Sequence, residues 1–418
     1  MLNHKNILSL TAGILGGRIF GYVRELLLLF FFGANSSSDI ILLIFLMPDL
    51  VNNLVSSSSI SSIFLAEIKN SSSIDVVASK MKMYLNEIAL ILFVILVCFS
   101  FVYYDFVIAT YVTLALMSIF FNFKFGIEIS KSQYFNDFKY TSLANIIYNT
   151  GTIFAVVMAV LNIYLSCLIL ILFAFIRFHI SRKRFEYLYG TRDQIEVELE
   201  VVVISRKNFF IALTSASIIS LAPMFDKLIA FEIGDGILSL FNYAEKIFIL
   251  PLSLVLVPVF SANYPTLARL WNSNNKTEYH FTVRKVVITA LVLSSMIFVF
   301  FMFLGEPVIN FLFDFTNIGR PKVKLIIKFF NILVLGLIPN VIIIWFVNVF
   351  LIRKLYKQLF LLSGFMFLIK ITYLLIVTNQ TVNFETILIF NLIWLSLSAL
   401  ALFMYYLISL NKDNNVID

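Results

Sequence analysis

Gly17-Arg18-Ile19-Phe20-Gly21-Tyr22-Val23-Arg24-Glu25 lies inside the first long apolar segment of the chain, and Leu26 to Phe32 extend that segment without another charge. An arginine at bilayer depth costs about 2.5 to 3.5 kcal/mol even on mild insertion scales. Two of them in one helix are kept only where a wet cavity or an anion answers them. Arg18 and Arg24 stand six residues apart, which puts them about 240° apart around an α-helix and about 9 Å apart along it. Arg18 has no acidic residue within one turn. What anion these cations meet is the question the rest of the chain has to answer.

The surrounding composition places the segment in a membrane. The 418 residues are 61% hydrophobic and 13% charged, with a mean hydropathy of +0.96, whereas soluble chains are about 25% charged. Apolar runs long enough to cross a bilayer recur from end to end. The alternating ten-residue segments of a β-barrel are absent. The chain reads as an all-α polytopic membrane protein with spans near 8–32, 39–66, 84–104, 107–127, 141–162, 163–181, 208–232, 237–264, 286–304, 325–351, 359–378 and 385–409. With the N-terminus inside, the inner loops collect Lys80, Lys82, Lys131, Arg177, Arg182, Lys183, Arg184, Arg206, Arg284 and Arg353, while the outer loops hold Arg320, Lys322, Lys324 and Lys328. That asymmetry predicts cytoplasmic termini. It also accounts for the net charge of +7 through topology and contact with the phospholipid bilayer, without nucleic acid.

Reactive chemistry is not visible. Cys98 and Cys167 lie in apolar runs and read as small core residues. His4, His179 and His280 are scattered, so no metal-ligand spacing forms, and no P-loop, GxSxG or HExxH motif is present. The chain reads as a non-enzyme without a cofactor, and as a monomer. Met1 to Lys5 offer no small-residue cleavage site and read as the start of a retained first helix.

The longest polar stretch, 182–207, divides the chain into an N-terminal six-helix lobe (1–181) and a C-terminal one (208–418). The two halves share residues at a constant offset of 203: Leu10-Thr11 with Leu213-Thr214, Arg24 with Lys227, Gly33 with Gly236, Phe45 with Phe248 and Pro48 with Pro251. Parallel repeats of this kind build transporters whose two lobes surround a central cavity.

Five basic residues fall inside spans: Arg18, Arg24, Lys227, Lys246 and Lys370. The bland reading pairs each with a local carboxylate, although neighbours such as Asp226–Lys227 and Glu245–Lys246 point to different helix faces. The functional reading gives Arg18, Arg24, Lys246 and Lys227 to a substrate anion, since guanidinium forks bind phosphate oxygens with paired hydrogen bonds. Span two is polar for a membrane helix: Asp49 follows Pro48, then come Asn52, Asn53 and Ser56 to Ser59. Those side chains either permit close helix packing or face sugar hydroxyls, with Asn52, Asn53, Ser56 and Ser59 the candidates. Pro48 and Pro251 each remove a backbone hydrogen bond and are hinge candidates. Asp39, after Asn35-Ser36-Ser37-Ser38, reads as the cap of span two.

These residues carry a resemblance. Arg18 to Glu25, Phe32-Gly33-Ala34, Ser38-Asp39 and Met47-Pro48-Asp49-Leu50 resemble the R-x-x-G-x-x-R-D/E helix, F-G-A turn, A-D pair and I-P-N-L stretch of the MurJ/MviN family of lipid II flippases. Asn242-Tyr243-Ala244-Glu245-Lys246, Leu250-Pro251-Leu252 and Tyr264-Pro265-Thr266-Leu267-Ala268-Arg269 resemble its Y-Y-A-D-R, L-P-L and L-P-x-L-S-R segments. The motifs cover about a quarter of the chain. The resemblance implies the fold of the multidrug/oligosaccharidyl-lipid/polysaccharide exporter superfamily, with Arg18, Arg24 and Lys246 meeting the diphosphate of an undecaprenyl-linked sugar. It also implies ion coupling at Asp226, by Na+ or H+, with Lys370 as the residue that span eleven offers in place of an acid. Three departures are plain: Asn52 and Asn53 stand where the family carries a basic pair, Lys246 replaces an arginine, and twelve spans stand against the family's fourteen.

The function implied is a flippase for an undecaprenyl-diphosphate-linked saccharide, either lipid II or an O-antigen or capsule repeat unit, working by alternating access. Two alternatives are a cation-coupled multidrug antiporter of the same superfamily and a non-transporting membrane scaffold for glycan synthesis. The topology is directly testable: fluorescent-protein fusions at either terminus are expected to light up, and alkaline phosphatase fusions there to stay inactive. The opposite pattern at either end would overturn the orientation.

Overall fold

The computed structural model describes residues 4–54, 57–68, 74–135, 137–189, 204–314, 316, 318–378 and 383–414. Among the described residues no strand forms. The helices are α1 (His4–Phe32), α2 (Ser36–Leu54), α3 (Ser57–Glu67), α4 (Ile74–Tyr103), α5 (Phe106–Leu116), α6 (Ile119–Tyr134), α7 (Phe138–Leu161) and α8 (Ile163–Tyr189), followed by α9 (Arg206–Ile233), α10 (Ile237–Pro251), α11 (Val257–Asn272), α12 (Lys276–Asp314), α13 (Arg320–Leu335), α14 (Leu337–Ile352), α15 (Tyr356–Thr378) and α16 (Phe384–Asn414).

They fall in order on the twelve predicted segments, four of which are built from two helices each: α2 with α3, α5 with α6, α10 with α11, and α13 with α14. Six stretches are long and apolar enough to cross a membrane as they stand, and the pair α13–α14, bent by 50°, makes a seventh if read as one broken span. The exposed surface agrees with a lipid setting. Only 22% of the most apolar window of the Ile74–Tyr103 helix is buried, and Leu90, Ile91, Val94 and Ile95 on it point outward. In water such a stripe would be an aggregation or docking surface; in lipid it needs no partner.

Helix ends differ from the hydropathy limits for a physical reason. Helix α4 starts ten residues before the predicted 84, because Ile74, Val77, Ala78 and Met81 recur at helical spacing and are buried while Asp75 and Lys80 stay out. Amphipathic turns beyond the apolar window are invisible to mean hydropathy. Helix α8 likewise continues through Arg182 to Tyr189, so the first part of the predicted 182–207 linker is helical, and 190–203 lie outside the described residues. Helix α2 runs through Pro48 and ends at Leu54, whereas α10 ends on Pro251 and passes into a π-helical turn, Leu252–Leu256. The lost proline hydrogen bond is a recognised site for such a widened turn.

The chain divides into two compact units. Unit 1 is Met1–Leu213 with Gly234–Ser239, and unit 2 is Thr214–Ile233 with Leu240–Asp418. In unit 1, α1 packs along α7, α7 along α8, and α6 against α3, α4 and α8, while α2 touches α1, α5 and α6. Gly151 on α7 shows how close α7 and α8 come, since a Cβ there would overlap the Phe173 side chain. In unit 2, α14 and α13 pack on α16, and α12 on α11, α13 and α14, around buried Phe260, Tyr264, Tyr279, Trp345 and Phe346. Each large aromatic removes roughly 150–250 Å² from its surroundings, which makes these rings the main packing mass of the unit.

One correction concerns Asp39. It does not cap span two; Asn35 does, its Oδ1 accepting the backbone N–H groups of Ser37 at 3.0 Å and Ser38 at 3.2 Å. Asp39 is buried inside α2 and caps a different helix. Its Oδ2 accepts Gly236 N–H at 2.7 Å, and its Oδ1 accepts Ser239 N–H at 2.9 Å and the Ser239 hydroxyl. It thereby satisfies orphan donors at the start of α10. The turn that makes this possible needs glycine. Gly236 has φ +82°, and a Cβ there would lie 2.8 Å from the carbonyl oxygen of Ala34. Gly236→Ala is therefore expected to lower stability by roughly 1–3 kcal/mol, read as a drop in melting temperature in detergent. Gly234→Ala, where the nearest atom is 3.8 Å away, is the control expected to change little; equal melting temperatures for the two variants would remove the argument.

Candidate functional site

In unit 1, Arg24 and Glu25 on α1, Asp49 on α2 and Arg177 on α8 form one electrostatic group. Arg24 is 5% exposed. Its Nε donates to Glu25 Oε1 at 3.1 Å, and Nη2 donates to the same oxygen. Consecutive residues diverge by about 100° on a helix, but the long guanidinium arm reaches back across that angle. The Phe45 ring of α2 lies 5.4 Å from its Cζ, a cation–π contact. Asp49 on α2 and Tyr148 on α7 are within electrostatic reach. Arg18 sits one and a half turns earlier on α1, with its side chain outside the described residues, as are the side chains of Asn52, Asn53 and Ser59. Ser56 lies wholly outside them.

Arg177 on α8 belongs to the same group, although the sequence reading had counted it among the inner-loop charges. It is 5% exposed, with Cζ 4.0 Å from the Phe125 ring and 4.2 Å from the Tyr148 ring. Its Nη2 donates to Asn122 Oδ1 at 2.6 Å. Asp49 and Tyr148 act on it electrostatically as they do on Arg24. Its sequence signal was a lone arginine with four apolar residues before it, Phe173-Ala174-Phe175-Ile176. That signal was available and was absorbed into topology.

Unit 2 answers its charges internally. Asp226 on α9 and Lys370 on α15, which the sequence reading suggested for ion coupling, meet: Lys370 Nζ donates to Asp226 Oδ2 and to Asn391 Oδ1 of α16, at 2.9 Å each. Both side chains of the pair are 0% exposed. The Trp394 ring lies 5.0 Å from the ammonium, and its indole N–H is tied to Met366 O at 2.6 Å. Lys227 pairs with Glu245 of α10, so the substrate-anion reading of Lys227 meets a carboxylate already in place. Asp226 and Glu245 each reach a cation beyond their chain neighbour, Lys370 and Lys227 respectively. Lys246 is half-buried on α10, and Pro251 half-buried at its end.

The Lys370 ammonium answers Asp226 Oδ2, while Asp226 Oδ1 is buried without a hydrogen-bond partner. Among the described residues no group of three or more His, Cys, Asp or Glu side chains is placed to hold a metal ion.

With this geometry in hand, the fold can be compared. The chain has the fold of the MOP superfamily transporters. Over 95% of its length and 87% of the other chain it is similar to the lipid II flippase MurJ in an inward closed conformation, with 18% identity and a TM-score of 0.71. It is similar to a MOP superfamily transporter from Pyrococcus furiosus with a binding pocket of reverse polarity (13% identity, 96% and 94% covered, TM-score 0.68). It is also similar to a MATE transporter from Vibrio cholerae (13% identity, 99% and 98% covered, TM-score 0.68). No protein-family model matches the sequence, and no curated protein matches it.

The buried pair gives a clean test. Removing one partner of a buried ion pair costs about 3–5 kcal/mol, because the other charge is stranded, whereas replacing both by apolar groups is often neutral. Lys370→Met and Asp226→Asn are each expected to lower the melting temperature sharply, and Lys370→Met/Asp226→Leu to recover most of it. A double variant as unstable as the sum of the singles would show that the two charges are not coupled.

Proposed function

We propose that the protein is an alternating-access flippase of the MOP fold that carries an undecaprenyl-diphosphate-linked saccharide, lipid II or an O-antigen or capsule repeat unit, across the bacterial inner membrane. The fold alone does not select the substrate, since it is shared by a lipid II flippase, MATE transporters and a transporter of reversed pocket polarity. The observation that carries the reading is the pair of buried guanidiniums, Arg24 and Arg177, in one membrane-type unit, both within electrostatic reach of the half-buried Asp49. A diphosphate offers such cations strong, paired, charge-assisted hydrogen bonds. A cationic drug would be repelled by them, and the carboxylate it would need, Asp226, is occupied by Lys370. The multidrug reading is therefore the weaker one.

In the proposed cycle Arg24, with Arg18, holds the diphosphate, and the polar stretch of span two meets the sugars. Pro48 and the Pro251 π-turn are where the backbone yields. Lys370 serves as a built-in counter-cation to Asp226, and resetting draws on the membrane potential or an ion gradient. One observation favours the scaffold alternative: Arg24 already has Glu25 as a partner.

A flipping assay in proteoliposomes with a labelled lipid-linked saccharide separates the readings. Arg24→Ala, and Arg24→Ala/Glu25→Ala to avoid stranding the carboxylate, are expected to slow transport at least about tenfold, with Arg24→Lys in between because it keeps charge and loses the fork. Full-rate transport by Arg24→Ala and Arg18→Ala would remove the diphosphate clamp. No transport by the wild-type chain would favour the scaffold.

A further inference from the structure

We infer that Arg177 and Asn122 form a binding site in unit 1 for a phosphate oxygen, whether of a lipid or of a soluble phosphate. The inference starts from donors that have nothing to donate to. Phe125 and Tyr148 lie 4.0 and 4.2 Å from the centre of the guanidinium. Contacts of that kind occupy its faces and leave the N–H edge for a hydrogen-bonding partner. On that edge Nη2 is used by Asn122 Oδ1 at 2.6 Å. Arg177 Nε and Asn122 Nδ2 are both buried without an acceptor. Two unanswered N–H donors thus sit on two residues already joined by a hydrogen bond, and both side chains are almost fully enclosed, at 5% and 2% exposure. Buried polar groups in folded proteins are nearly always satisfied, so a pair of orphans in one place calls for a missing acceptor.

Charge narrows what that acceptor is. Among the described residues no carboxylate lies within ion-pair distance of Arg177, unlike Arg24, Lys227 and Lys370, each of which has one. A water molecule would satisfy the donors and leave the cation unanswered. An anionic oxygen answers both. Asp49 is the carboxylate that Arg177 feels, and Arg24 feels it too. It is half-buried on α2, which packs against both α1 and α6, and it follows Pro48, where the helix lacks a backbone hydrogen bond. Asp49 is thereby a resident anion within electrostatic reach of two arginines. A phosphate, with several acceptor oxygens, can take that place and reach Arg177 Nε and Asn122 Nδ2 together.

The test uses the full chain purified in detergent and three probes: farnesyl diphosphate, phosphatidylglycerol and inorganic pyrophosphate. Binding is read by native mass spectrometry for the lipids and by thermal-shift titration for pyrophosphate. The deciding variant is Asn122→Asp. It places a carboxylate against Arg177 without changing shape, so it is expected to melt no lower than wild type and yet to weaken the bound probe at least about tenfold. Arg177→Lys, which keeps the charge and loses Nε, is expected to weaken it to a lesser degree. Farnesyl diphosphate as the preferred probe would support the site and also the diphosphate reading of unit 1 on which that arm rests. Phosphatidylglycerol or pyrophosphate alone, still sensitive to Asn122→Asp, would support the site as a bilayer-lipid or soluble-phosphate site and count against the diphosphate substrate. The proposal is overturned if wild type binds none of the three, or if Asn122→Asp binds them as wild type does, which would leave Arg177 a structural cation held by its two rings.

Discussion

Charge inside a low-dielectric slab is the constraint on which this molecule depends. A charge taken out of water loses several kcal/mol of solvation after all relaxation, and lipid offers nothing in return. A buried ionic group therefore needs an answer, and four of the described residues show different ones. Arg24 has the carboxylate of Glu25 and the face of Phe45. Lys370 has Asp226, Asn391 and the Trp394 ring. Asp39 has the donors of Gly236 and Ser239. Arg177 has two rings and an amide, with no carboxylate within ion-pair distance among the described residues. Such arrangements add little net stability over an apolar core, but each is costly to break halfway. They favour a few well-defined arrangements of the helices over a continuum.

The two units solve the problem differently. In unit 2 the four charges Asp226, Lys227, Glu245 and Lys370 are held in two ion pairs. In unit 1 Asp49 is shared electrostatically by two arginines, and donors beside Arg177 stay open. The repeated turns show the same mixture of likeness and divergence. Gly33 and Gly236, equivalent at the offset of 203, both take positive φ, +70° and +82°. Arg24 and its counterpart Lys227 both pair with carboxylates, one with its chain neighbour Glu25 and the other with Glu245 on the next helix. Positions that match at this offset share a backbone conformation, while the charges near them have different partners.

Much of this was legible before any coordinates. Long apolar runs, the lysine and arginine asymmetry, the glycine turns and the prolines all report local properties, and each predicted span has its helix in order. Partners were harder. Asp39 follows Asn35-Ser36-Ser37-Ser38, which reads as a local cap; the donors it serves lie about 200 residues away at Gly236 and Ser239. Arg177 stands near a basic run, which reads as topology; only the packing of α6, α7 and α8 shows it enclosed by Phe125, Tyr148 and Asn122. Asp226 and Lys370 were each picked out as ionisable residues inside spans, but 144 positions separate them, and nothing in either neighbourhood names the other.

The amino-acid sequence by itself determined that this is a helical membrane protein with unusual cations in its spans, because hydropathy and charge act through neighbours in the chain. The tertiary structure alone decided which charges are answered and by what. Ion pairing depends on distances of about 3 Å between side chains far apart in sequence, and in a membrane those distances separate a neutral pair from a cation waiting for an anion.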